Sequence, residues 1–182
     1  MTNKQIKLSN HNANLNKIVC ESLQEALLIL MSQKNFTNIS ITELCNKAGV
    51  SRMAFYNNYK SKDELLKKII ERYTYNLINT IGSPFRQKTD ILWYEQMFNY
   101  IKKDNHYLYI MFKSGFKYIY LSTITDIVLH DNSIPSNIKY MRLMWAGGIS
   151  NAIVYWLESG MNESVNDMAQ FCYNNLSVWT NE

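Results

Sequence analysis

Cysteine is scarce in this chain: Cys20, Cys45 and Cys172 are three in 182 residues, odd in number and far apart. Neither a disulfide framework nor a four-cysteine zinc site can be built from them, and free thiols are the expectation. The three histidines, His11, His106 and His130, stand alone with no HExxH or HxxxH spacing, so no metal centre is expected. None of the six glycines belongs to a phosphate-binding loop, because Gly147-Gly148 lacks the accompanying strand and lysine. Ser114-Gly115 has no nucleophile-elbow context. These absences leave no catalytic reading and no cofactor. Long apolar runs are missing too: Leu143 to Leu157, bounded by Arg142 and Glu158 and interrupted by Ser150 and Asn151, falls short of the ~20 residues a bilayer requires. The opening MTNKQIKLSNHNANLNK lacks the apolar centre of an export signal and reads as a partly ordered arm. A cytoplasmic protein with no membrane partner is therefore expected. Sustained two-residue alternation is absent as well, which excludes a sheet of any size.

What is present is helical periodicity on a globular composition, 47% hydrophobic and 19% charged, enough for a sizeable core without metal or disulfide help. The net charge of +4 is unevenly spread. Up to Thr80 there are 11 Lys and Arg against 6 Asp and Glu, whereas from Ile81 onward the figures are 8 and 9. The positive field belongs to the N-terminal part, where attraction to a phosphate backbone would fall steeply with salt.

Within that part, Ile39 to Leu66 reads as two short helices and the start of a third. Ser40 and Glu43 have capping-box spacing, which starts a helix over Ile41 to Lys47 whose buried side is Ile41, Leu44, Cys45 and Ala48. Gly49 supplies a left-handed position, Val50 plugs the turn, and Ser51 caps a second helix to about Asn57. So short a helix cannot persist alone. Phe55 and Tyr59, four apart, are its clamp, leaving Arg52, Met53, Tyr56 and Asn57 outward, a set suited to a major groove. Lys60 and Lys62 follow at the corner, and Ser61 with Glu64 repeats the capping spacing, with Lys62 expected to face a phosphate. A long preceding helix, Leu15 to Ser32, is the scaffold, with Ile18, Leu23, Ala26, Leu27 and Leu30 as its buried stripe and Phe36 and Ile39 completing the core.

AGVSRMAFYNNYKSKDELL, Ala48 to Leu66, resembles the helix-turn-helix signature of TetR/AcrR-like transcriptional regulators. The resemblance implies an all-α homodimer: an N-terminal three-helix DNA-binding domain with a helix-turn-helix, followed by a helical dimerisation and ligand domain. Two copies of the reading helix would engage double-stranded DNA at a palindromic operator. By the same resemblance Ser51, Tyr56 and Lys62 fall on positions that touch the DNA backbone, and Arg52 and Met53 on positions that face bases. Ala54 and Asn58 depart from the family pattern, which favours Thr and His there. The domains are read as residues 12–66 and 67–182, the boundary lying inside the helix that starts near Lys62 and ends at Gly82-Ser83-Pro84.

Beyond Pro84 lie all four Trp and nine of the thirteen Tyr. Helical patterns run over Thr89 to Ile101, Asn105 to Lys113, Tyr118 to Leu129, Ser136 to Ser159 and Glu163 to Ser177. Trp93, Tyr94, Met97, Tyr109, Phe112, Tyr140, Met144 and Trp145 are candidates for lining a pocket for an amphipathic or aromatic small molecule, and suit a dry core equally well. Gly147 and Gly148 inside the longest helix cost about 1 kcal/mol each relative to alanine and suggest close approach or a bend. With Ala152, Trp156, Val165, Met168 and Cys172 they form the expected dimer face, two helices per subunit making a four-helix bundle. The leading reading is a dimeric, sequence-specific regulator, a repressor controlled by a small-molecule effector. The alternative is a regulator whose C-terminal domain takes a protein effector and has no small-molecule pocket, as similarity to dihydroxyacetone-kinase-activator-like members of the family suggests.

Overall fold

The computed structural model describes residues 3–85, 89–103, 105–131 and 133–180, and every regular element among them is helical. They form two compact units, Met1–Leu66 and Lys67–Glu182.

The first unit holds α1 (Asn3–Gln33), a 3-10 turn (Phe36–Asn38), α2 (Ile41–Ala48), α3 (Arg52–Asn58) and the first residues of α4 (Lys62–Ile81). Helix α1 begins twelve residues before the expected start. The segment read as a partly ordered arm contains neither proline nor glycine, so nothing in it interrupts a helix that has already been nucleated. Its buried stripe is Leu23, Ala26, Leu27 and Leu30, as expected, but Ile18 is 58% exposed. α1 packs against α2 and α3, and the core closes on Phe36, Ile39, Leu44, Cys45, Phe55, Leu65 and Leu66. Burial pushes the Cys45 thiol up from its ordinary pKa, with the charge of Arg52 opposing in part.

The second unit contains the rest of α4, then α5 (Ile91–Lys103), α6 (Asn105–Lys113), α7 (Lys117–Val128), α8 (Ser136–Glu158), α9 (Val165–Leu176) and a final 3-10 turn (Ser177–Trp179). α5 lies along α9, and α8 is flanked by α6, α7 and α9. Phe98 of α5 meets Trp156 of α8 edge to face at 5.2 Å, and the indole N–H of Trp145 donates to the Tyr94 hydroxyl at 3.1 Å. Desolvation raises the Tyr94 hydroxyl and the Cys172 thiol each to about 12. No described helix is long and apolar enough to cross a membrane. The paired glycines of α8 have different surroundings. A Cβ on Gly148 would lie 2.7 Å from Leu176 Cδ2, so this glycine admits the end of α9, while one on Gly147 would meet nothing within 4 Å.

The turn between α2 and α3 depends on Gly49, whose φ of 68° lies in the left-handed region and whose absent Cβ would meet no neighbour. Gly49→Ala is expected to lower stability by about 1–2 kcal/mol through backbone strain alone. Gly49→Asn should cost clearly less, because asparagine tolerates that region. Denaturant unfolding of the two variants measures the difference, and equal losses would assign the cost to lost space instead.

Candidate nucleic-acid interface and a cavity

Helix α3 is positioned by its two ends and one side. Ser40 Oγ accepts from the Glu43 amide at 3.1 Å to start α2, but the Glu43 carboxylate pairs with Lys34 at 2.6 Å instead of closing the capping box. Val50 N–H donates to Cys45 O at 3.0 Å across the turn, and Ser51 Oγ accepts from Ala54 N–H at 3.1 Å to cap α3. Past α3, the Glu64 carboxylate accepts from the Lys60 amide at 2.7 Å while Ser61 Oγ accepts from the Glu64 amide at 3.1 Å, which fixes the start of α4.

Phe55 is fully buried and Tyr59 nearly so, their rings 5.9 Å apart, and the Tyr59 hydroxyl accepts from the Gln24 amide of α1 at 3.2 Å. The opposite side of α3 presents Arg52, Met53, Tyr56 and Asn57 to solvent, Met53 at 73% exposure. The Arg52 guanidinium stands 6.0 Å from the Tyr56 ring, which packs edge to face on Phe55 at 5.3 Å. The reading face is thus backed by the same aromatic that buries the helix. Ser51 and Lys60 are also exposed beside it.

Lys62 has a different place from the one expected. Its ammonium donates to Phe36 O at 2.8 Å and to Ile39 O, and lies 4.5 Å from the Phe36 ring. Desolvation lowers its pKa. The two carbonyls belong to the turn between α1 and α2; Phe36 O also accepts the Ile39 amide at 3.1 Å, and the Lys62 cation adds a second donor there and one to Ile39 O. Lys62 therefore acts as a latch of the three-helix fold.

One contact escaped the sequence reading. Asn16 and Asn58 exchange side-chain amide hydrogen bonds at 2.9 and 3.0 Å, Asn58 also donates to Ala54 O at 2.9 Å, and the Cys20 thiol donates to Asn58 Oδ1 at 3.3 Å. This ties the end of α3 to α1. Asn58 is one of the two positions that depart from the family pattern, which was the available signal; its partner 42 residues away left none.

In the second unit, α4, α5, α7 and α8 line a partly open cavity of about 770 Å³. Trp93, Met97 and Trp145 of the expected set line it. Phe112 is buried elsewhere against Tyr120, and Tyr109, Tyr140 and Met144 are exposed, so these four are not part of the wall. Tyr94 is buried behind it, on Trp145. Residues the sequence reading did not single out, among them Leu77, Ile78, Phe85, Ile124, Val128, Ile149 and Ile153, complete the apolar wall, with Arg142, His130 and Asp131 beside them.

The expected dimer residues divide. Trp156 of α8 is buried under α6, α7 and α9, and Met168 and Cys172 of α9 are buried in a helix that packs on α5 and α8. Gly147, Gly148, Ala152 and Val165 are half-buried. Tyr140, Met144, Gly147, Asn151 and Tyr155 form one stripe of α8 at i, i+4, i+7, i+11 and i+15, with Tyr155 71% exposed. On α9, Phe171 is 62% exposed. No cluster of three or more His, Cys, Asp or Glu able to hold a metal occurs among the described residues.

A glycine-turned pair of short helices, clamped by α1 and presenting a basic and aromatic face, has the form of a helix-turn-helix. Residues 24–69 match the family described as "Bacterial regulatory proteins, tetR family". Proteins of this family generally act as dimeric DNA-binding regulators. The chain is 35% identical over 66 residues to the uncharacterized HTH-type transcriptional regulator YxbF of Bacillus subtilis, a match covering 35% of this chain and 17% of that protein. The fold is similar to a TetR transcriptional regulator from Streptococcus agalactiae, with TM-score 0.60, 15% identity, and 92% of this chain and 98% of that one covered. It is similar also to the dihydroxyacetone kinase operon activator DhaS, with TM-score 0.57, 18% identity, and 89% and 96% covered.

Lys62→Ala is expected to lower the unfolding free energy by about 1–3 kcal/mol, since Ile39 O loses the ammonium donor and Phe36 O is left with the Ile39 amide alone. The salt slope of DNA binding should stay unchanged. Thermal unfolding together with a salt titration on one duplex checks both, and a slope reduced by about one phosphate with stability intact would return Lys62 to the DNA contact set.

Proposed function

We propose that the chain is a homodimeric, sequence-specific regulator of transcription, a repressor that binds a palindromic operator in double-stranded DNA and is controlled by a small molecule held in the second unit. The observation that carries this reading is the division of α3 into a buried side, Phe55 with Tyr59 just beyond it, and an exposed side, Arg52, Met53, Tyr56 and Asn57. In this reading Arg52, Met53 and Asn57 probe base edges, and Ser51, Tyr56 and Lys60 position phosphates. Ser51 accepts a hydrogen bond as the cap and still has its hydroxyl proton to donate to a phosphate oxygen. The concentration of basic residues in the N-terminal part supports the same assignment.

The dimer would form through the exposed stripe of α8, Tyr140, Met144, Gly147, Asn151 and Tyr155, with Phe171 of α9, over the support of buried Trp156 and Cys172. Gly147, with open space around its missing side chain, would allow close approach by the partner's helix. The cavity favours a small-molecule effector over the protein-effector alternative, for which a solid core would be expected. Helix α4 lines the cavity at Thr74, Leu77 and Ile78 and is continuous with the residues that follow α3, which supports it as the element through which occupancy is felt.

Arg52→Ala is expected to reduce discrimination between a selected operator and random duplex by about 1–3 kcal/mol. Competition binding on duplexes recovered from a random pool reads this directly, and an equal loss on both classes would take Arg52 out of base reading. Combining Tyr155→Glu with Phe171→Glu, both at exposed positions, should leave the fold intact while giving a monomer at micromolar concentration and abolishing tight binding to two half-sites. Sedimentation of the double variant as a dimer would move the interface elsewhere.

A further inference from the structure

The cavity carries information about the charge of what it holds. Most of its wall is aliphatic or aromatic, and among its described lining residues the side chains charged at neutral pH are Arg142 and Asp131. Arg142 is half-buried. Its guanidinium lies 4.7 Å from the centre of the Phe85 ring and its Nη1 donates to Val128 O at 3.3 Å, so the charge is held against the wall by packing and by a backbone oxygen that closes α7. A guanidinium stays protonated at any physiological pH and offers planar donors that match a carboxylate. Asp131 sits differently. It is exposed, and its carboxylate accepts from the amide and hydroxyl of Ser133 at 2.9 and 2.6 Å, bonds that lower its pKa, with the Arg142 charge acting in the same direction through solvent. A solvated carboxylate is screened, whereas a half-buried guanidinium beside apolar walls is screened less, so the cation dominates inside the cavity. His130 is exposed on the same side.

Resting on the reading of this cavity as a small-molecule site, we propose that its ligand is an amphipathic organic monoanion, a carboxylate set against Arg142 with an apolar body among Trp93, Met97, Ile124, Trp145 and Ile149. The volume of about 770 Å³ falls within the range of sites for ligands of drug size. A phosphate monoester is a poorer match, since it brings close to two negative charges to a wall with one fixed cation. A cationic amphiphile would face that guanidinium with only a solvated carboxylate in compensation.

Trp93 and Trp145 both line the cavity, so intrinsic fluorescence reports its occupancy. The full chain is titrated with decanoate, decanol and decyltrimethylammonium, three probes with the same ten-carbon chain and different heads. Decanoate is expected to bind about tenfold tighter than decanol or better, as a charge-assisted hydrogen bond allows, and the cation weakest. Arg142→Gln should bring decanoate and decanol within about threefold of each other, while Arg142→Lys should keep most of the preference. The ranking on the unaltered protein stands by itself if a variant fails to fold. Decanol binding as well as decanoate, the cation binding best, or a preference that survives Arg142→Gln would each overturn the monoanion while leaving a small-molecule cavity in place. Failure of all three probes to bind at millimolar concentration would overturn the cavity reading together with it.

Discussion

Burial of Phe55 is the interaction on which the N-terminal unit depends. Helix α3 has seven residues, fewer than any helix that holds its own shape in water, and its hydrogen bonds alone do not compensate the entropy of fixing its backbone. A fully buried phenylalanine contributes on the order of 3–5 kcal/mol by the cost of truncating it, enough to decide whether the segment is ordered. Everything presented to DNA is presented on the back of that ring. Tyr56 packs on it edge to face, and Arg52 stands over Tyr56. The clamp and the reading surface are two sides of one short stack of aromatic groups.

Local signals in the sequence defined this region well because each acts over a few residues. Ser40, Gly49 and Ser51 stop and start helices through their own backbone and side-chain chemistry, and Phe55 and Tyr59 share a face by spacing. What the sequence did not reveal are contacts between residues distant in the chain. Lys62 looks like any basic residue at a corner, and nothing in its neighbours says that its ammonium will be held by two carbonyls 23 and 26 positions earlier. The Asn16–Asn58 pair is invisible for the same reason.

The second unit shows a different limit. Helix boundaries from Ser136 to Leu176 were legible to within a residue or two, since proline, glycine and the apolar repeat all bear on them. The destinations of the aromatic residues were not. Phe112, Tyr109 and Trp93 have similar apolar character yet lie in a dry core, at the surface and on a cavity wall respectively. Periodicity gives the face of a helix a residue occupies; it does not say how many neighbours cover that helix. α8 is covered on most sides, which is why Trp156 is buried where a surface was expected.

The bond between Asn16 and Asn58 joins two neutral amides, neither of which titrates, and mobile ions have little to screen between them. Attraction to a duplex, by contrast, fades as counterions accumulate. A rise in salt would thus loosen a hold on DNA of the kind proposed above while this tie keeps the contour of α3 against α1 as it was. Affinity and shape respond to the cell's ionic state by separate rules, and the amide pair is where they part.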